Sequence, residues 1–105
     1  MDKLELNDKL AELYGLEPFT MIGSNIPAIE NSAIMFDLMI EHNLLPTFNF
    51  VWLNLGDIDE KYYTVRLKNE MGATDMIFVK DHETEREAAL YAIALKLVKL
   101  AESKL

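Results

Sequence analysis

Apolar positions along this chain recur every third or fourth residue near its two ends and every second residue in its middle. From Asp2 to Tyr14, Leu6, Leu10, Leu13 and Tyr14 fall on one stripe, while Asp2, Lys3, Glu5, Asp8, Lys9 and Glu12 cover the rest. That spacing predicts a short amphipathic helix, and Gly15 is placed to end it in the left-handed conformation. A second helix is predicted from Ile29 to His42. Ile29, Ala33, Phe36, Met39 and Ile40 share its inner face, and Glu30, Asp37 and Glu41 point away. Asn43 and the LeuLeuPro after it stop this helix, because proline disfavours helix in the residue before it. The last helix, Thr84 to Leu105, carries the strongest signal. Thr84 and Glu87 have the spacing of a capping box. Glu85 and Glu87 crowd the first turn, while Lys96, Lys99 and Lys104 fall in the second half, as the helix dipole favours. Ala88 to Leu95 is apolar without a break. A helix apolar over so much of its circumference needs cover on more than one side, so the rest of the chain is expected to pack around it.

In the middle the period shortens to two. Thr47 to Leu55 alternates Phe48, Phe50 and Trp52 with Val51, Leu53 and Leu55. Both faces are apolar, so this strand is expected to be central. Turn residues at 56–60 lead to a second strand, Lys61 to Leu67, and a turn at Gly72 leads to a third, Asp75 to Lys80. Consecutive strands joined by short turns make an antiparallel meander. Residues 16–28 hold two prolines and a glycine without helical period, and read as a loop with a short edge strand at Phe19 to Ile22. Phe19, Met21, Ile22 and Ile26 there serve either as cover for the core or as an exposed docking patch.

The fold class is therefore α+β in the order ααβββα: a single domain over residues 1–105, with a three-stranded antiparallel meander covered by helices. Two layouts satisfy this order. In an α/β/α sandwich the last helix covers one face and the second helix the other, which is favoured because large exposed apolar patches are rare. Alternatively all helices lie on one face and the other is left to a partner chain.

Charge adds the most to this picture. The net charge is -8, and from Leu10 to Glu60 there is no lysine or arginine, while Glu12, Glu17, Glu30, Asp37, Glu41, Asp57, Asp59 and Glu60 are all acidic. Such a field repels nucleic acid and anionic membranes and favours basic partners. The absence of cysteine excludes a disulfide framework and a thiolate metal site, and fits a reducing compartment. The charged start MDKLELNDKL holds no apolar run of signal-peptide length, and no segment reaches the length of a membrane span. A cytoplasmic location is expected.

Catalytic signatures are weak throughout. Asp57, Asp59 and Glu60 gather carboxylates in a turn, but without the closing Glu of a calcium loop they read as solvated acids. Asp81, His82 and Glu83 contain HxE without the PCxxC that completes a zinc deaminase site, and they precede the capping box, where polar residues start a helix. His42 suits the end of the second helix on dipole grounds. Ser24, Ser32 and Ser103 lack a GxSxG context, and the glycines are too scattered for a phosphate loop. Lys61, Arg66, Lys68 and Lys80 read as the soluble edge of a sheet, and Trp52, Tyr62 and Tyr63 as packing. No catalytic, cofactor-binding or metal-binding residue is assigned, and the chain is not read as an enzyme.

Three segments, LNDKLAELYGLEP at the start, FVWLNL in the middle and EREAALYAIALKL in the last helix, resemble the phage ABA sandwich domain family of small phage and prophage accessory proteins. The chain departs from that family in offering only Phe19 where a tryptophan- or tyrosine-rich stretch often follows the first helix. The resemblance implies an α/β/α sandwich of phage origin, with no agreed activity and no catalytic residues. The function expected is that of a non-enzymatic accessory protein binding a basic host or phage protein. Glu30, Asp37 and Glu41 on the second helix and Asp57, Asp59 and Glu60 at a hairpin tip would form the contact, mimicking phosphates to inhibit a host defence protein. The alternative is a structural or assembly subunit that forms homo-oligomers, such as a homodimer, through apolar surface on the last helix or the 16–28 loop.

Overall fold

The Thr84 hydroxyl accepts a hydrogen bond from the Glu87 amide at 3.0 Å, and helix α3 (Glu85–Ser103) follows from this cap. The computed structural model describes residues 2–21, 25–52, 59–67 and 75–104, with the backbone alone described at 20–21, 25, 45–52 and 59–60. Helix α3 buries Ala88, Ala92, Ile93, Ala94, Leu97 and Val98. Helix α1 (Lys3–Tyr14) packs along it with Leu6, Leu10 and Ala11 buried, and the Tyr14 hydroxyl donates to the Leu97 carbonyl at 2.6 Å. The Asp2 carboxylate caps α1 by accepting from the Glu5 amide at 2.8 Å. Gly15 closes it at φ 64°, a conformation that costs glycine little. Leu6, Leu10, Leu97 and Met35 are fully removed from solvent, each contributing about 1.5–3 kcal/mol of transfer free energy.

Strands β1 (Phe19–Met21) and β2 (Asn25–Pro27) form a small antiparallel hairpin between the first two helices, and a 3-10 turn over Ala28–Glu30 follows. The element order is thus αββαβββα, not ααβββα. Asn7 accounts for the addition. It is fully buried on α1, its Nδ2 donates to the Pro18 carbonyl at 2.9 Å, and its Oδ1 accepts from the Ile29 amide at 2.9 Å. One side chain thereby holds the backbone just before and just after the hairpin, satisfying polar groups that burial would otherwise penalise.

Helix α2 (Ser32–Glu41) starts later than the apolar spacing predicts, because the Asn31 side chain caps it by accepting from the Ile34 amide at 3.3 Å. Its buried residues are Met35 and Leu38. The expected inner face is corrected accordingly, since Phe36 and Ile40 are exposed. Asn43, at φ 57°, turns the chain into the sheet.

Strands β3 (Leu44–Trp52), β4 (Asp59–Leu67) and β5 (Ile77–Phe78) form a second antiparallel sheet in the order β3-β4-β5. The central strand is therefore β4, and β3 is at the edge. The placement suits Pro46, which lacks the amide a central strand would need and, among the described residues, is paired to Val65 alone. Strand β5 is shorter than the six residues expected because the backbone tightens into a 3-10 turn at Val79–Asp81.

Register places Leu44 opposite Leu67, with Val65 two residues on along the same face. Leu44 and Val65 are buried in the same core as Leu6, Leu10, Met35, Leu38, Leu97 and Val98, and Tyr63, Leu67 and Ile77 pack against it. All three helices thus share one core on the Val65 face of the sheet. This replaces the α/β/α sandwich, in which α2 would have covered the other face, and α2 instead packs on α3 and β3. On the opposite face Tyr62 and Phe78 bring their rings to 5.6 Å. The packing of Phe48, Phe50 and Trp52 lies outside the described side chains, as does the turn at Gly72. Among the described residues no helix is long and apolar enough to cross a membrane.

Candidate functional site

Helix α2 is apolar around most of its circumference, so burying Met35 and Leu38 leaves apolar side chains outside. Phe36 is 57% exposed and Ile40 60% exposed, and the four-residue spacing sets them one above the other. Met39 and Ala33 lie beside them, and across the gap α3 offers Leu90 and Ile93. Phe36, Met39 and Ala33 of α2 and Leu90 and Ile93 of α3, together with Ser32 and Met35, line an open groove of about 390 Å³ that is almost wholly apolar, and Ile40 is not part of that lining. Its end nearest the start of α2 is tied by Arg86, whose guanidinium donates to the Glu30 carbonyl at 3.5 Å and to the Ser32 hydroxyl.

Asp37 and Glu41 are exposed and, again four residues apart, form the next stripe of α2 outward from Phe36 and Ile40. Neither makes a salt bridge among the described residues. The field of Glu41 is felt at Tyr14, whose hydroxyl titrates above the usual tyrosine range through burial first and this carboxylate second.

The other predicted contact acids are elsewhere. Glu30 is not on α2 but in the 3-10 turn ahead of it, where Lys3 Nζ donates to its Oε1 at 2.7 Å. Its hydrogen bond is the largest influence holding the Lys3 amine above the ordinary lysine range, with partial burial opposing it. Asp59 and Glu60 open β4, paired in register with Trp52 and Val51. They occupy the end of the β3–β4 ladder far from the α2 terminus, about 26 Å along the strand from Leu44 at the usual rise per residue. The side chains of Asp59 and Glu60, and all of Asp57, lie outside the described residues. Of the six acids, the structure brings together Asp37 and Glu41.

A second, more polar cleft of about 470 Å³ opens where α1 and α3 begin, and its lining includes Lys3, Phe78, Asp81, His82, Glu87 and Tyr91. Lys3 is shared between Glu30 and Glu87, the latter at 3.7 Å. His82 stands against the Tyr91 ring, with centroids 4.9 Å apart and its Nδ1 3.9 Å from Glu87. That separation is beyond hydrogen-bond length, so the carboxylate does not orient the imidazole as it would in a catalytic dyad. His42 packs edge-on to Tyr14 at 5.2 Å.

The groove was not legible as a site in the sequence. Phe36 and Ile40 read as core because AIMFDLMI is apolar on two adjoining stripes, and periodicity does not say which of them faces inward. The available signal was an excess: ten residues of helix carry more apolar side chains than one buried stripe can use. Compared with family models, with curated proteins and with solved structures, the chain matches none.

Proposed function

We propose that this chain is a non-enzymatic interaction protein that engages a basic protein surface through acids of its first half. The observation that carries the reading is the exposed pair Asp37 and Glu41, without a salt bridge among the described residues, inside a run from Leu10 to Glu60 that contains no lysine or arginine. Carboxylates without a salt bridge among the described residues are available to a cation from outside. Glu30 contributes less than its sequence position suggests, because Lys3 already compensates it. A narrower form of the proposal, a phosphate mimic that inhibits a nucleic-acid-binding protein, requires Asp57, Asp59 and Glu60 to extend the acidic row.

Capture of binding proteins at low and high ionic strength, with the native chain and with Asp37→Lys/Glu41→Lys, tests the reading. Basic proteins released both by salt and by the double substitution are expected, since screening weakens exposed charge pairs. A set of bound proteins indifferent to both changes overturns it. Homo-oligomerisation draws support from Phe36 and Ile40 on α2 and from Phe19 in the 16–28 segment, and not from α3, which has no large apolar side chain among the exposed ones described.

A further inference from the structure

We propose that the open edge of β3 is an interface on which a second copy of this chain pairs, strand to strand and antiparallel, so that two three-stranded sheets continue as one. The proposal goes beyond the binding of basic surfaces and does not depend on it. Strand β3 bonds to β4 on one side, and among the described residues no strand pairs with its other side. Backbone amides and carbonyls stand in a row along that side, and another extended chain completes them. The groups themselves therefore name the kind of occupant, a β-strand and not a helix.

Sheet edges are ordinarily blunted by short length, charge, proline or a covering element. The two edges of this sheet differ in that respect. Strand β5 has two residues, lies in sequence between Asp75 and Lys80, and gives way to the 3-10 turn at Val79–Asp81. Strand β3 has nine residues, and residues 43–56 contain neither an acid nor a base in a chain that is 27% charged. Its sequence offers only Pro46, near one end. Residues 47–52, about 17 Å of strand at the usual rise, carry no such device. Proline is accommodated in a sheet where its missing amide would face outward. With Pro46 so placed, alternation turns the amides of Phe48, Phe50 and Trp52 to the open side and those of Asn49 and Val51 to β4.

A second copy is the occupant this edge favours. An antiparallel strand pairs with its own copy about a two-fold axis, the self-complementary contact of closed dimers. Each copy brings the same uncharged run, so like charges do not meet along the seam despite the net charge of -8. All of residues 47–52 except Asn49 are aromatic or β-branched, the composition that gains most from cross-strand pairing.

Sedimentation velocity of the native chain from about 5 to 500 μM should show a monomer passing to a dimer, with a midpoint on the order of 50 μM for so small a contact. Hydrogen exchange at the two ends of that range, read by NMR, should show the Phe48 and Phe50 amides exchanging about threefold or more slowly at the higher concentration, with Asn49 and Val51 alike at both. Asn49 is near the middle of the run, so Asn49→Lys brings two ammonium groups together across the two-fold seam while leaving the backbone ladder to β4 in place. It should weaken the dimer about tenfold or more. Should that variant lose its cooperative melt, the exchange pattern of the native chain decides.

A chain that stays monomeric across this range overturns the proposal. So does a dimer that a folded Asn49→Lys variant leaves intact, or one that Phe36→Ser disperses, because the contact then lies on α2. A monomer whose Phe48 and Phe50 amides gain protection only when the peptide LPTFNFVW, residues 45–52, is added also overturns it. The edge then accepts a free strand and not a second copy.

Discussion

Replacing Asn7 by alanine removes a buried amide that touches two separate stretches of backbone, and the cost can be worked from its partners. The Ile29 amide would lose its acceptor, a desolvation penalty of about 1–3 kcal/mol. The Pro18 carbonyl would keep the Ala28 amide at 2.9 Å and lose only its second donor, worth about 0.5–1.5 kcal/mol. The expected loss is about 2–4 kcal/mol, a large share of the 5–15 kcal/mol that holds a domain of this kind together. Urea unfolding followed by circular dichroism should show the midpoint falling with an unchanged slope, and the melting temperature should drop by about 10 °C or more. A loss below about 0.5 kcal/mol, the range of a neutral surface change, would refute the role given to Asn7. Asn7→Asp sharpens the test. One carboxylate oxygen can still accept from Ile29, but the other faces the Pro18 carbonyl with no proton to share. Burial raises the pKa of that carboxyl in the folded state above its unfolded value near 3.9. The variant's stability relative to the native chain is therefore fullest below about pH 4 and is lost as pH rises through the raised folded value. An equal deficit at acid and neutral pH would show that the Pro18 contact is immaterial.

Thr84→Ala should cost about 1 kcal/mol through loss of the Glu87 cap, read as a shift of the urea midpoint; no shift would place the start of α3 elsewhere. Lys3→Met should cost about 0.5–1 kcal/mol at neutral pH, discounted for the partial exposure of the pair. Because the folded Lys3 pKa is raised, chiefly by Glu30, its contribution is full below the unfolded value near 10.4 and fades as pH rises through the folded one. The gap between native and variant urea midpoints should accordingly close in strong alkali. Leu97→Ala should cost about 2–5 kcal/mol, since Leu97 is fully buried. Leu95→Ala should cost less, because Leu95 is half-buried at a cleft of about 350 Å³ that it shares with Lys96 and Lys99. Equal losses in paired melts would contradict that placement.

What was legible in the sequence was local. Thr84 with Glu87, and Gly15 after Tyr14, announce helix ends through side-chain and backbone chemistry within a few residues, and both ends stand where they were expected. The continuous apolar run of α3 correctly foretold its burial by several elements, with α1, α2 and the sheet all packed on it. Misreadings arose where a distant group decided the matter. Apolar spacing places the Ile29 amide in the second helix, yet it is satisfied by Asn7, twenty-two residues earlier, and the helix begins after Asn31. Apolar residues on both faces of Thr47 to Leu55 predict a central strand, but Pro46 is the better guide to the edge position of β3. In the candidate site, Asp37 and Glu41 are legible as an outward stripe, whereas the apolar groove on another side of α2 depends on α3, which no local pattern in residues 32–41 reveals.

The burial of α3 among all the other elements has a consequence for biosynthesis. The chain emerges from its N-terminus, so α1, the hairpins and α2 are all made before the helix that supplies the centre of their core. At about 5–20 residues per second, Leu44 waits roughly 3–11 s before Val98 is available to cover it. Throughout that interval the edge of the sheet and the inner stripes of two helices have no permanent partner. Folding of this domain is therefore expected to be a late, all-at-once event during synthesis, and substitutions in α3 should reduce the yield of soluble chain more than equally destabilising ones in α1.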